Sequence, residues 1–369
     1  MTKLEEQINK NKREIHTDSY SMSIGEVINL YRDKDLDIHP EFQRMFRWSS
    51  AQRTSFIESV LLGIPVPSFF VSQRDDGVWD VVDGMQRLST ILQFSGELRD
   101  EENKPVAPLR LNGTKYLPDL DGVCWEGKQA ISPSLKRDFK REKLDFKIIK
   151  KESTQDTKYD LFRRLNTGGT TLEPQEVRNC LIIMSDRTFY LWIKELAKSP
   201  DFLECCPLPE NQLEQSYDLE LISRFIAFYN MDWKEKQRIG DIGPFLDDKI
   251  TELCMDGNFN RDSFQDVYQR TFKIINRTLG EDAFKKFDKK EGRHRGAFST
   301  ALFELVSVGI AKNLAIWGKK SRRALIAKIQ DVSAKQVFML KTGSGIRANE
   351  RIESTIPFGI SYFGVAASE

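Results

Sequence analysis

The sequence predicts an α+β protein, an α/β N-terminal domain followed by a mostly helical C-terminal domain, on three observations. At 369 residues the chain exceeds the usual ~100–200 residues of one compact domain, so two structural parts are expected. A hairpin signal around residues 75–77 lies among segments of helical periodicity, so the first 150 residues mix strands with helices. From about residue 154 helical periodicity dominates.

The elements follow in order. Residues 1–18 are charged and aperiodic, and the domains are set at 1–19 for a flexible lead-in, 20–190, and 200–369. Ser23 and Glu26 read as a capping box that opens a short helix to about Arg32. A short strand over 37–39 leads to Pro40, and Ser49 and Ser50 begin a helix with Phe56, Ile57, Val60 and Leu61 on one face, ended by Gly63. Strands at 68–72 and 78–82 flank Asp75-Asp76-Gly77 as a hairpin. The second runs through Asp83-Gly84 into a helix from Gln86 to Phe94, closed by Gly96, and a further strand is expected at 143–150. Helices are expected at 156–165, 174–185, 187–198, 217–230, 263–278, 297–317 and 321–330.

Composition narrows the function classes. With 40% hydrophobic residues and 24 phenylalanines a sizeable core is available, and global disorder is excluded. A formal charge of +1 excludes a uniformly basic coat. That sum hides an asymmetry: residues 199–262 hold 14 acidic and 6 basic side chains, while 281–351 hold 16 basic and 7 acidic. The basic stretch, with Lys319, Lys320, Arg322 and Arg323, can meet nucleic-acid phosphates, or it can be a solvated face balanced by the acidic segment. Five cysteines without a CxxC spacing read as free thiols of a reducing compartment. No long apolar run and a polar first segment point to a cytoplasmic protein without a membrane segment.

Three clusters carry chemistry. In Asp83-Gly84-Met85-Gln86-Arg87 a strand meets a helix start, whose amides and positive dipole end can take an anion. Arg87 would add a bidentate guanidinium, Gln86 could orient a phosphate oxygen or a water, and Asp83 could cap the helix or hold a cation or water. The alternative is a well-capped helix with a surface arginine. In Phe42-Gln43-Arg44-Met45-Phe46-Arg47-Trp48, aromatic faces for base stacking alternate with phosphate or base-edge readers, or else anchor the loop on the core. In Phe162-Arg163-Arg164-Leu165-Asn166-Thr167-Gly168-Gly169 a helix ends at a glycine pair, and another begins behind Pro174, before Glu176, Arg178 and Asn179. There is no GxxxxGK[ST] phosphate loop.

In this order and spacing, the three clusters resemble the N-terminal domain family of GmrSD-type modification-dependent restriction proteins, over roughly residues 20–185. The family signature is Asp-Gly-Gln-Gln-Arg, and Met85 stands here for its first Gln. The resemblance implies a ParB/sulfiredoxin-like fold for residues 20–190, with NTP as cofactor and Mg²⁺ as an optional ion. It also implies nucleotide binding, NTP hydrolysis in several relatives, and a role in restricting modified phage DNA. Carried over, Asp83, Gln86 and Arg87 would be catalytic; Gln43, Arg44, Gly84, Arg163 and Asn166 would bind the nucleotide. Arg47 and Trp48, with the C-terminal basic residues, would face DNA. The catalytic Cys of the sulfiredoxin Gly-Cys-His-Arg is absent from Gly84-Met85-Gln86-Arg87, which removes that chemistry. His294 is the sole histidine after residue 39, so a fused HNH nuclease is not expected, and cutting would fall to a separate nuclease or other defence partner. Three functions stay open: an NTP-hydrolysing sensor or regulatory subunit; a ParB-like nucleotide-gated DNA-binding module without turnover; and a direct endonuclease using Asp83 with Glu58 or Glu176. Self-association is open as well.

Overall fold

The computed structural model describes residues 2–5, 16–38, 48–100, 102–153, 174–233, 239–343 and 345–364. It divides into two compact units, Met1–Thr171 and Leu172–Glu369. The first holds a sheet with helices and the second is mostly helical, so the fold is α+β.

The first unit is built on five strands: β1 (Thr17–Ser23), β2 (Leu36–Asp37), β3 (Phe69–Gln73), β4 (Trp79–Asp83) and β5 (Lys143–Ile149). Their order is β1-β5-β3-β4-β2, with β3 and β4 forming the hairpin and Gly77 taking φ +93° in its turn. The edge strand β1 runs antiparallel to β5 from Thr17–Ile149 to Ser23–Lys143, yet Met22 is its one buried residue. An edge strand wet on both faces carries no alternation, so periodicity does not reveal it. Four helices share its core: α1 (Ile24–Asp33), α2 (Ser50–Leu61), α3 (Met85–Phe94) and α4 (Pro133–Arg141). Ser23 Oγ accepts from the Glu26 amide (3.2 Å) to cap α1, although the Glu26 carboxylate takes the Tyr20 hydroxyl (2.8 Å) instead of closing the box. Ser49 and Gln52 do form the reciprocal box on α2. Stacked Phe69 and Phe146 (5.1 Å) and the edge-on trio Phe94, Trp125 and Phe139 fill the interior.

The second unit strings together α5 (Pro174–Ala197), α6 (Pro200–Cys205), α7 (Glu210–Glu214), α8 (Tyr217–Tyr229), α9 (Ile242–Met255) and α10 (Arg261–Leu279). A small hairpin, β6 (Lys286–Asp288) and β7 (Arg293–Arg295), precedes α11 (Thr300–Ala311), α12 (Leu314–Trp317), α13 (Arg322–Val332), α14 (Gln336–Lys341) and α15 (Ala348–Gly364). Helix α5 breaks at Asp186 (φ −156°, ψ 99°), between the two helices that the sequence separates there. The expected helix 297–317 is likewise two, α11 and α12, parted at Asn313, whose side-chain amide donates to Gly309 and Ile360 carbonyls (2.8 and 2.9 Å). Helices α11 and α15 cross at two glycines: a Cβ on Gly309 would stand 2.9 Å from the Gly359 carbonyl oxygen. Around them Phe225, Phe264, Tyr268 and Phe272 pack ring on ring. The expected helix 156–165 lies outside the described residues. All five cysteines are buried and none is in a disulfide, and no helix among the described residues is long and apolar enough to cross a membrane.

Candidate functional site

The site begins with a change of backbone hand. Strand β4 ends at Asp83, and Gly84 takes φ +97° before α3 begins. Only glycine fits this position, on two counts. The left-handed conformation disfavours a side chain, and a Cβ would stand 2.4 Å from Phe69 Cδ1. A register shift between Phe70 and Val71, where β3 pairs with β4, sets Phe69 against this turn. Among the described residues no side chain caps α3, so Asp83 does not do the capping the sequence allows it. The first amides of a helix have no intrahelical acceptor, and Gly84 has no side chain to supply one.

Arg87, one turn into α3, folds back over the same glycine. Its guanidinium donates to the Pro67 carbonyl, to the Ser68 carbonyl (3.3 Å) and to Asp83 Oδ2 (3.0 Å), and lies 4.5 Å from the centre of the Phe69 ring. Its side chain is only 12% exposed. Burial pushes this guanidinium below its ordinary value while the Asp83 carboxylate holds it up. Arg87 is thus neither a surface arginine nor an unengaged phosphate clamp. It is an ion-paired cation at the mouth of an uncapped helix. Gln86 sits half-buried on the first turn, and its carbonyl accepts from Thr90 Oγ1 (2.7 Å). Met85 packs against the core of the unit. Phe69, Pro67 and Ser68 are the site residues that sequence reasoning misses, because the strand pattern gives no sign of the partner that Phe69 faces.

Behind the turn the hairpin is locked by charge. Arg74 donates to Asp80 Oδ2 and to Asp37 Oδ2 (both 2.8 Å), tying β2, the hairpin and β4 together. Burial opposes the Arg74 charge, but these two carboxylates hold its pKa above the ordinary value. Trp48 rests edge-on against Phe56 (5.6 Å), half-buried, which is the anchoring role its cluster leaves open. Glu58 is 8% exposed and accepts from Thr114 Oγ1. Gln43, Arg44, Arg47, Arg163 and Asn166 lie outside the described residues, as does the side chain of Glu176.

The third cluster's tail belongs to the second unit, in its interior. Arg178 is 1% exposed, with Nε 2.9 Å from Asp247 Oδ1 and a bond to Gln175 Oε1. Gln175 also donates to Asn179 Oδ1 (2.8 Å). These residues join α5 to α8 and α9 as a buried polar network. In the basic stretch, Arg322 donates through Nε and Nη2 to the Thr278 carbonyl (3.3 and 3.2 Å), which satisfies the end of α10. Lys319, Arg322 and Arg323 are exposed, and Lys320 is half-buried. The neighbouring hairpin neutralises much of its charge locally: Arg293 and Arg295 pair with Glu291, and Lys289 with Asp331. His294 faces the Lys285 carbonyl (3.3 Å) and the Gln330 amide (3.4 Å). Among the described residues, no group of three or more His, Cys, Asp or Glu stands together to hold a metal ion.

Comparison with known proteins bears on the first unit. No curated protein and no solved structure matches the chain. Residues 24–183 match the model of one family, the GmrSD restriction endonuclease N-terminal domain. That span runs from α1 into α5 and leaves out the edge strand β1; it holds the Asp83–Arg87 turn and Gln175–Asn179, and includes all three motif clusters. By this match and those motifs, residues 24–183 of the chain carry a domain similar to the GmrSD restriction endonuclease N-terminal domain.

Proposed function

We propose that the protein is a nucleotide-binding, NTP-hydrolysing component of a restriction or anti-phage defence system acting with DNA. The family match supports the defence role. The nucleotide reading rests on one observation: an uncapped helix start, fixed by left-handed Gly84, beside the partly buried cation Arg87. Converging amides and a dipole end attract phosphate, and a guanidinium in a partly dry setting strengthens that attraction. A phosphate would compete with Asp83 for the Arg87 N–H groups. The displaced Asp83 carboxylate is then available to orient a water or to share a Mg²⁺ with the phosphates, and Gln86 stands beside it on the first turn. Hydrolysis would proceed by charge stabilisation at Arg87.

A second reading, a nucleotide-gated DNA binder without turnover, is favoured by Met85. It replaces the first Gln of the family signature and packs into the core, and a thioether cannot usefully orient a water. Phosphate release from a panel of NTPs, with and without DNA, decides between them. The hydrolytic reading expects release by the wild type and a loss of about 10³-fold in Arg87→Ala, in the range of arginine contributions to phosphoryl transfer. Nucleotide bound without release would establish the gated binder instead.

A further inference from the structure

In the second unit, a cavity of about 230 Å³ opens between Lys286 of β6, the start of α11, residues 341–343 and 346, and Arg351 of α15. Its wall carries three cations, Lys286, Lys341 and Arg351, with the hydroxyl residues Ser299, Thr300 and Thr342, and no carboxylate among the described residues lines it. The hydroxyls are engaged within the fold. Ser299 Oγ accepts from the Leu302 amide (3.4 Å), Thr300 shares a hydrogen bond with Tyr217 (2.6 Å), and Thr342 donates to the Phe338 carbonyl (2.8 Å). The donors left for a ligand are the cations, the Ser299 O–H and the first amides of the twelve-residue α11.

The charges around the cavity give the sign and size of that ligand. Arg351 reaches both oxygens of Glu304 (3.1 and 2.9 Å), Arg224 donates to the same carboxylate (2.6 Å), and Arg224 also pairs with Glu220. Two arginines thus meet two glutamates and cancel. Lys286 and Lys341 make no ion pair among the described residues, which leaves the cavity with two positive charges. Arg351 Nε is buried, with no hydrogen-bond partner. A phosphate monoester, with about −1.5 to −2 charges at neutral pH, matches this surplus. The cavity is smaller than the roughly 300–1,000 Å³ clefts that take whole drug-sized ligands, so it suits a phosphate head with the remainder outside.

We propose that this cavity is a phosphate-monoester site, for a free phosphate or mononucleotide, or for the 5′ end of a nucleic acid. Lys286 and Lys341 supply the neutralising charge, and Arg351, held by Glu304, lines the wall beside them. The site is independent of the Gly84 turn of the first unit.

Lysine acetylation of the full chain, read by mass spectrometry, tests the site at its own residues. Inorganic phosphate and adenosine monophosphate, each at about ten times its Kd, should slow acetylation of Lys286 and Lys341 about tenfold. Lys319 should be unaffected in both arms. Protection by a 5′-phosphorylated oligonucleotide but not by its 5′-hydroxyl twin would identify a nucleic-acid end as the source. Protection by phosphate and adenosine monophosphate alone would identify the free ligand. In Lys341→Glu, a substitution at a part-exposed position, protection of Lys286 should disappear while circular dichroism stays unchanged. Three results would overturn the proposal: equal acetylation in every arm, protection of Lys286 that survives Lys341→Glu, or protection by both oligonucleotides alike with none by phosphate.

Discussion

Gly84 meets two demands at once, a left-handed backbone and the approach of the Phe69 ring, and Arg87 closes over the same spot. Gly84→Ala should therefore destabilise the first unit by about 1–3 kcal/mol, the usual cost of a strained backbone position. Urea unfolding followed by the fluorescence of its tryptophans measures this, and an unchanged midpoint would show that the turn tolerates a side chain. Met85 is the instructive neighbour. Its family counterpart is polar, whereas its own side chain joins the core, so the turn keeps its shape without that amide. The Asp-Gly-x-Gln-Arg pattern is legible in the sequence because glycine and helix start have local signatures. That Arg87 is held by Pro67, Ser68 and Phe69 is not legible, since this arrangement depends on how β3 registers against β4, some 20 residues away.

Helices announce themselves where apolar spacing and a capping residue coincide, as at Ser23 and Ser49, and fall silent where either is missing. Helix α9 begins with Ile242, Gly243 and Pro244, which read as loop, although proline is compatible with the first turn of a helix and Asp241 caps it through the Gly243 amide (3.4 Å). Strand β1 and the β6–β7 hairpin lack alternation because water meets most of their residues. The break in α5 allows a quantitative test. Burial tends to raise the Asp186 carboxyl, but bonds from Thr188 and Arg261 outweigh it and set it below its ordinary 3.8. Its stabilisation is thus complete above about pH 4 and fades as pH falls through the lower folded value. Asp186→Ala should cost about 0.5–2 kcal/mol at neutral pH, as for a lost N-cap, with the deficit shrinking in acid. A pH-independent deficit in thermal unfolding would contradict the capping role. In the basic stretch, Arg322 closes the end of α10, so its charge is partly engaged within the fold. Reversal of Lys319, Lys320, Arg322 and Arg323 to Glu should still weaken DNA affinity and flatten its salt dependence, by about one logarithmic unit for each phosphate no longer neutralised. Unchanged binding would leave these residues as a solvated face.

At the scale of the whole molecule, a formal charge of +1 conceals a segment near −8 and one near +9, both in the second unit. Part of the basic segment is neutralised by short-range pairs such as Lys285–Asp282 and Lys289–Asp331. Two lysines of that segment, Lys286 and Lys341, make no ion pair among the described residues and line one cavity, which no linear charge count could locate. In the first unit, the family match spans the Gly84 turn. We expect this turn to hold a nucleotide phosphate through Arg87. Equilibrium binding of NTPs to the full chain and to Arg87→Ala, with the unfolding midpoint of each as control, tests it most directly. Saturable binding by the wild type is expected, with a loss of about 10–100-fold in the variant, the worth of a charge-assisted hydrogen bond. Absence of binding by the wild type with or without Mg²⁺, or equal affinity in a folded Arg87→Ala, would contradict it.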